Sequence, residues 1–377
     1  MKKISILGST GSIGKSALEI VEHLGPEYQI VALAAKSNVD LVESQAKKFR
    51  PELVALFDEK AARELKKRLP NLRVVSGMEG IIEAACHTQA DTVLSAIAGT
   101  LGLQPTFSAI QAKKTICLAN KETLVSGGDI VMRAAKANGV KILPVDSEHS
   151  ALFQCLVGEK NEEVHRLILT ASGGAFRDEK GDLSQKTFEE ALKHPTWSMG
   201  PKVTIDSSTL MNKGLEMIEA HYLFDIPPER IDVVVHPQSV IHSLVEFKDG
   251  SMKAQLSVPD MKLPIQYAFT YPERRGGVLK PFDFIRHSRL EFLQADRKRF
   301  RCLDLAFEAM KVGQDMPGYM NAANEVLVER FLNGEFTWGK IAEKLSDLME
   351  KHIPQRVLTL DDVLAVEKLA KEEALTI

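Results

Sequence analysis

Two short stretches of this chain crowd oxygen donors and cations into a few residues. Asp146-Ser147-Glu148 follows the strand-like run Lys141–Pro144. In an extended segment, residues two apart point to the same side, so these two carboxylates would repel unless a cation sat between them. A hard divalent ion such as Mg2+ or Mn2+ takes oxygen ligands and would serve; taken alone, the pair reads better as a solvated acidic turn, and the second stretch is what favours the metal. The second stretch runs from Asp206-Ser207-Ser208-Thr209 into Asn212-Lys213-Gly214-Leu215-Glu216. Serines, an asparagine and a lysine suit a phosphate dianion, and Glu216 would add a third oxygen for the metal. The alternative is an N-capped amphipathic helix with Glu216 and Glu219 a turn apart on its surface. Ser172, in Thr170-Ala171-Ser172-Gly173-Gly174, offers another hydroxyl where glycines let backbone N–H groups approach an anion.

A third motif, Gly8-Ser-Thr-Gly11-Ser-Ile-Gly14, follows an apolar run at the start of the chain and opens a helical pattern. Glycines there allow a tight turn and close approach to a pyrophosphate, and the helix N-terminus supplies free N–H groups. The second strand selects the cofactor. An NAD enzyme usually carries Asp or Glu at its end for the ribose hydroxyls, whereas here it ends Ala35-Lys36-Ser37-Asn38. A lysine with two hydrogen-bonding neighbours suits a ribose 2′-phosphate, so NADPH is expected over NADH. Asn120 and Glu122, in Ala119-Asn120-Lys121-Glu122, follow another strand and either touch the cofactor or cap the next helix. His194-Pro-Thr-Trp197-Ser-Met-Gly200-Pro201 resembles neither strand nor helix; it reads as a lid over a bound ligand or as an ordinary loop around a buried Trp. His236 and His242 read as structural.

These motifs need a scaffold, and the apolar pattern describes one. Strands are expected at Lys3–Leu7, Ile30–Ala34, Leu53–Leu56, Asp91–Ala96, Thr115–Leu118 and Lys141–Pro144. Helical stretches between them, such as Ser12–His23, Val39–Phe49 and Glu122–Ala137, make an α/β domain of parallel strands over 1–145. Beyond it, Leu167–Thr170, Asp232–Val235, Ser243–Phe247 and Lys253–Val258 alternate with period two, and Asp249-Gly250 marks a tight turn. A partly antiparallel sheet in an α+β domain is therefore expected over 146–271, followed by a linker over 272–296. Helices at Arg301–Val312, Asn321–Phe331, Thr337–Lys351 and Leu360–Ala374 form a C-terminal helical domain, 297–377.

Composition sets limits. A chain of 377 residues implies two or three domains. A net charge of −3 gives no basic excess for nucleic acid. Apolar runs are too short for a membrane span or a signal peptide. Four cysteines without Cys-x-x-Cys spacing read as reduced thiols in a cytoplasmic protein.

Six segments together resemble the 1-deoxy-D-xylulose 5-phosphate reductoisomerase family: Gly8–Gly14, Ala119–Glu122, Val145–Ser150, Ala171–Gly174, His194–Gly200 and Met211–Glu216. The resemblance spans essentially the whole chain. It implies a homodimer with a Rossmann-type NADPH domain, a catalytic and dimerisation α+β domain whose lid is 193–201, and a C-terminal helical domain. It implies that Thr10, Gly11, Ser12, Ile13, Asn38, Asn120, Glu122 and Gly200 contact NADPH. Lys36 or Ser37 would meet the 2′-phosphate, since this chain departs from the family's usual Gly followed by Lys or Arg at that point. Asp146, Glu148 and Glu216 would bind Mg2+, Mn2+ or Co2+. Ser147, Glu148, Ser172, His194, Trp197, Ser207, Asn212, Lys213 and Glu216 would bind the sugar phosphate, with Lys213, Glu148 and Glu216 catalytic. The implied reaction rearranges 1-deoxy-D-xylulose 5-phosphate and reduces it to 2-C-methyl-D-erythritol 4-phosphate, a step of non-mevalonate isoprenoid precursor synthesis. Two alternatives stand beside it: another NADP-dependent sugar or amino-acid dehydrogenase, which would not need the carboxylate triad, and a nucleotide-sensing regulatory protein, which would not need the phosphate cluster.

Overall fold

Ile4, Ile6 and Leu7 of the first strand and every residue from Ile30 to Ala35 of the second are buried. That is the mark of parallel strands covered by helices on both faces. The computed structural model describes residues 1–377 with the exception of Ser198. These residues divide into two compact units. The first comprises Met1–Thr123, Val131–Ser150 and Asp260–Lys280; the second comprises Leu124–Ile130, Ala151–Pro259 and Pro281–Ile377.

The first unit alternates strand and helix: β1 (Lys2–Leu7), α1 (Ser12–Leu24), β2 (Tyr28–Ala35), α2 (Val39–Phe49), β3 (Leu53–Leu56), α3 (Glu59–Arg68), β4 (Arg73–Ser76), α4 (Gly77–Ala85), β5 (Thr92–Ser95), α5 (Leu103–Gln111), β6 (Thr115–Leu118), α6 (Glu122–Asn138) and β7 (Ile142–Pro144); α6 belongs to it except for its Leu124–Ile130 stretch. Two of these helices start at side-chain caps. The Asn38 side chain accepts from Leu41 N–H at the head of α2, and Asp58 accepts from Ala61 N–H at the head of α3. The seven strands are parallel, in the order β4-β3-β2-β1-β5-β6-β7. Crossovers run outward from β1 to β4 and then return to β5 on the other side of β1. The carboxyl ends of β1 and β5 therefore form the switch point at which α/β sheets bind ligands, as expected for a Rossmann-type domain.

Helix α7 (Ser147–Leu156) starts in the first unit and continues in the second. There follow β8 (Val164–Ala171), α8 (Phe188–Ala191), α9 (Pro201–Ser208), α10 (Met211–Phe224), β9 (Ile231–Val235), β10 (Ile241–Phe247) and β11 (Met252–Leu256). Helix α11 (Lys262–Thr270) groups with the first unit, and β12 (Leu293–Gln294), α12 (Arg301–Val312), α13 (Met316–Leu332), α14 (Gly339–Lys351) and α15 (Leu360–Thr376) with the second. The second sheet is mixed, in the order β11-β10-β8-β9-β12, with β8 and β9 parallel and the other pairs antiparallel. Its core combines Leu167 and Leu169 of β8 with Leu215 and Ile218 of α10 and Leu305 and Ala306 of α12. Gly214 belongs to that packing: a Cβ there would sit 2.3 Å from the Ala306 Cβ.

Three local readings are corrected. Asp146-Ser147-Glu148 is not extended. Ser150 N–H donates to the Asp146 carbonyl (2.8 Å) and α7 begins at Ser147, because acidic side chains are favoured at a helix N-terminus. Helix α13 begins at Met316 rather than Asn321, since Pro317 occupies the first turn, where no N–H is needed. The segment 272–296 contains a strand, β12, paired with β9.

Candidate active site

In the first unit, β1 delivers the chain to Gly8 with φ +92°, a conformation that L side chains rarely adopt. A Cβ at Gly8 would lie 2.4 Å from the Ala96 carbonyl oxygen at the end of β5, and one at Gly14 would lie 2.3 Å from the Gly8 oxygen. Gly11 has no such crowding; its nearest atom would be 3.4 Å away. Gly8 and Gly14 thus shape the loop, while Gly11 leaves its outer side free. Gly11 caps α1 without a side-chain hydrogen bond, so the amides at the start of α1, around Ser12 and Ile13, remain for a ligand. Gly11 and Ser12 are exposed, and Thr10 and Ile13 half-buried. Gln45 of α2 donates to the Ser9 carbonyl (2.9 Å) and pins the loop from behind. Lys36, Ser37 and Asn38 lie exposed at the carboxyl end of β2, with the Asn38 side chain engaged as the α2 cap.

Asn120 is buried and heavily committed. Its Oδ1 accepts from Thr123 N–H (3.0 Å), and its amide donates to the Ile97 and Gly99 carbonyls (2.5 and 2.9 Å) and to Glu122 (3.0 Å). It therefore caps α6 and fixes the loop after β5. Asp146 pairs with Lys121 at 2.6 Å. Burial opposes the Asp146 charge, but the Lys121 ammonium and then His149 outweigh it and hold the carboxyl well below the usual carboxylate range. Ser147 Oγ donates to Glu148 (2.6 Å) at the head of α7.

In the second unit, α9 and α10 are joined through Leu210, whose φ of +60° reverses the chain sharply and costs about 1 kcal/mol or more. The joint puts Ser207 at the end of one helix and Asn212 and Lys213 in the first turn of the next. Glu216, 1% exposed, accepts from Asn212 Nδ2 (2.5 Å) and forms an ion pair with Lys213. Gly174, with φ +70°, presses on the Ser207 carbonyl: a Cβ would come within 2.3 Å of it. The turn carrying Ser172 is thereby wedged against α9. Asp206 is buried between Lys202 (2.6 Å) and Asn324 (2.9 Å), and Trp338 Nε1 donates to Ser208 Oγ (3.0 Å).

His194 Nδ1 accepts from Thr196 N–H (3.1 Å) and Trp197 N–H (2.8 Å). The ring proton is then on Nε2, which donates to Ser172 Oγ (2.9 Å). Burial, and then the Arg177 cation, push the imidazole down to about 4 from its ordinary 6.5. The unfolded chain takes up this proton near pH 6.5 and the folded chain near 4, so the stabilisation is full above 6.5 and is lost as pH falls toward 4. An NMR titration should show the His194 ring shift with a midpoint near 4; a midpoint near 6.5 would contradict the burial of the ring beside Arg177. Trp197 is half-buried and Gly200 caps α9 ahead of Pro201; Ser198, inside the expected lid, lies outside the described residues.

Sequence reasoning missed Lys121, Arg177 and Lys202 as partners. Lys121 carried a signal, since neighbouring acids that repel each other call for a cation between them. The donor set fits a hard divalent ion: Asp146, Glu148 and Glu216 offer carboxylate oxygens alone, and both Asp146 and Glu216 are places where positive charge is already held, by Lys121 and Lys213.

Comparison with known proteins covers nearly the whole chain. Residues 4–128 match the family model for 1-deoxy-D-xylulose 5-phosphate reductoisomerase, and residues 142–224 and 256–373 match two models of C-terminal domains of that enzyme. The 1-deoxy-D-xylulose 5-phosphate reductoisomerase of Protochlamydia amoebophila is 58% identical over 375 residues, covering 99% of this chain and 98% of the relative. The enzyme of Geobacter metallireducens is 51% identical over 377 residues, with 99% and 98% covered. Among solved structures, the Zymomonas mobilis reductoisomerase in complex with NADPH superposes with a TM-score of 0.94 at 39% identity, covering 100% of this chain and 98% of its own. A DOX-P reductoisomerase in complex with NADPH, fosmidomycin and magnesium gives 0.95 at 40% identity, with the same coverage.

Proposed function

This chain belongs to the 1-deoxy-D-xylulose 5-phosphate reductoisomerase family, and we infer that it converts 1-deoxy-D-xylulose 5-phosphate to 2-C-methyl-D-erythritol 4-phosphate with NADPH and Mg2+. It is an oxidoreductase acting on a CH–OH group with NADP(H) as cofactor. What supports the reading is that one chain holds both a glycine loop at a sheet switch point, suited to a dinucleotide, and a buried polar cluster, Ser207 to Glu216, suited to a phosphate.

The proposed residue roles follow from local chemistry. The amides after Gly11 receive the pyrophosphate, and Lys36 or Ser37 the 2′-phosphate, with Thr10, Ser12, Ile13, Asn38, Asn120, Glu122 and Gly200 completing the cofactor contacts. Asn120 acts through its backbone loop, because its side chain is already occupied by Thr123, Ile97 and Gly99. Ser172, Ser207, Asn212 and Lys213 donate to the substrate phosphate, and neutral His194 keeps Ser172 oriented through its Nε2–H. Asp146, Glu148 and Glu216 hold the cation, with Ser147 supporting Glu148. Bound there, Mg2+ supplies Lewis-acid polarisation of substrate oxygens, and NADPH supplies the hydride. Lys213 neutralises charge as it develops on the substrate. Trp197, on segment 193–201, closes over the substrate and excludes water.

A homodimer is part of the proposal. Leu293 of the edge strand β12 and Phe292 just before it expose 49% and 45% of their surface, and Phe284 and Ile285 expose 66% and 87%; such exposed apolar side chains and a short edge strand suit contact with a second copy. Sedimentation at monomer mass would remove that part. A cytoplasmic location agrees with the four free cysteines.

Mixing the protein with 1-deoxy-D-xylulose 5-phosphate, NADPH and Mg2+ should consume NADPH, and EDTA should stop the reaction until Mg2+ is restored. Activity that survives EDTA would return the chain to the class of metal-free NADP dehydrogenases. Equal efficiency with NADH would remove the role given to Lys36 and Ser37.

A further inference from the structure

Beyond the residues assigned above, we propose that Arg177 is a positioning residue for the substrate's phosphate, clamping the Ser172 turn and holding a fixed positive charge behind it. The proposal rests on the reading that Ser172 and His194 meet the substrate.

The turn leaves β8 through Ser172, Gly173 and Gly174, and both glycines have positive φ, +89° and +70°. Such a turn has few conformational restraints of its own, because glycine tolerates many alternatives. Two contacts restrain it. On one side Gly174 abuts the Ser207 carbonyl. On the other, the Arg177 stem lies across Gly173, so closely that a Cβ on Gly173 would be 2.6 Å from the Arg177 Cδ and 2.7 Å from its Cγ. The same side chain then turns its guanidinium back, and Nη1 donates to the Ser172 carbonyl at 2.7 Å. Stem and head together grip the Ser172–Gly173 peptide from two directions.

That grip decides where the Ser172 hydroxyl points. Ser172 Oγ receives the His194 Nε2–H, and the Gly174 amide also approaches it at 3.4 Å. With the carbonyl of the same residue fixed by Arg177, the hydroxyl is left facing His194 and any ligand that joins them. The cation also has an electrostatic use. The Arg177 side chain is 15% exposed, so its field is screened less than that of a surface arginine. Its Nε and Nη2 face the Asp178 carboxylate at 3.1 and 2.9 Å, but Asp178 is 77% exposed. That carboxylate offsets part of the field, but it lies on the solvent side and is itself screened by water, so a net positive potential is left on the Ser172 side. A phosphate dianion on Ser172 would therefore sit in front of a positive charge that the fold holds in place. The same charge helps keep His194 neutral, so that its Nε2–H remains a donor to Ser172 and its Nδ1 an acceptor for the chain that follows.

A purely structural arginine would hold the turn and do nothing selective for substrate. Steady-state kinetics on three proteins separates the cases. Arg177→Met keeps an apolar stem over Gly173 and removes the cation; Arg177→Lys keeps a cation. In Arg177→Met the KM for 1-deoxy-D-xylulose 5-phosphate should rise about 10-fold or more, as for loss of a charged hydrogen-bonding group. The inhibition constant of inorganic phosphate competing with the substrate should rise in parallel, with the KM for NADPH within about twofold of the original protein. Arg177→Lys should recover most of the loss. An unchanged substrate KM in Arg177→Met overturns the proposal. So does a joint rise in both KM values with a lowered Tm, which is the mark of a structural staple. If the original protein itself consumes no NADPH, the functional reading fails and the substitution is not what decided it.

Discussion

Glu216→Gln is expected to lose turnover by more than about 100-fold while NADPH still binds, because a substitution outside the ligand shell of a metal already costs about 10- to 100-fold and this one removes a ligand charge. The replacement has the same shape, so the packing of α10 around it survives. What changes is electrostatic. Glu216 is 1% exposed and takes hydrogen bonds from Asn212 and Lys213. An amide can accept at one atom but must present its own N–H2 at the other, and both neighbours are donors. The fold should therefore lose on the order of 1–3 kcal/mol, the cost of a buried polar mismatch, visible as a lowered Tm. The Mg2+ dependence of activity should move to higher concentrations in the same variant. NADPH titration by fluorescence should be unaffected, since the pyrophosphate loop belongs to the other compact unit. Turnover within tenfold of the original protein at equal Mg2+ would remove Glu216 from the metal site.

How far the sequence revealed this arrangement depends on the range of the interaction that shapes each piece. The Gly8–Gly14 loop was legible because its shape is set by its own glycines and by the strand and helix on either side. Helix α15 was legible at its start because Thr359 and Asp362 form a reciprocal capping box. Strand β4 was not, since it lies at the sheet edge with Arg73 exposed and no buried apolar run. Helix α13 was read too short, from Asn321. In the fold, Gly318 is a contact, its missing Cβ leaving room for the Ser126 backbone at 3.2 Å, and no local pattern announces such a partner. The candidate site divides in the same way. Asp146, Glu148, Asn212, Lys213 and Glu216 stood out as residue types at close spacing. Lys121 and Arg177 did not, because each acts through a partner that the fold brings to it, Asp146 for one and the Ser172 carbonyl for the other. Asn120 showed both of its possible roles; its side chain bonds Thr123 N–H at the head of α6 and the Ile97 and Gly99 carbonyls.

The cofactor loop gives a second large effect, and it separates two glycines that look alike in the sequence. Gly14→Ala should destabilise the protein by about 3 kcal/mol or more, at the upper end of what overpacking costs. Its new Cβ would meet the Gly8 oxygen at 2.3 Å, the Ser9 Cα at 2.6 Å and the Ser9 carbonyl carbon at 2.7 Å. All three are backbone atoms, so no side chain can rotate out of the way. Relief requires α1 to move away from the loop, and Gln45, holding the Ser9 carbonyl from α2, resists that movement. Gly11→Ala should behave differently. Its φ of −72° suits any residue and its nearest neighbour would be an ordinary 3.4 Å away. Stability should fall by about 1 kcal/mol, the loss of the N-cap preference for Gly over Ala, well short of the Gly14→Ala effect. NADPH affinity should nonetheless fall about tenfold or more, because the methyl group projects where a pyrophosphate must approach the first amides of α1. Thermal unfolding without cofactor, paired with NADPH titration, reads the two effects separately. An unaltered Tm in Gly14→Ala would refute the packing argument. Unaltered NADPH affinity in Gly11→Ala would mean that the pyrophosphate does not lie over this loop, and the cofactor site would have to be sought elsewhere along the carboxyl ends of the parallel strands.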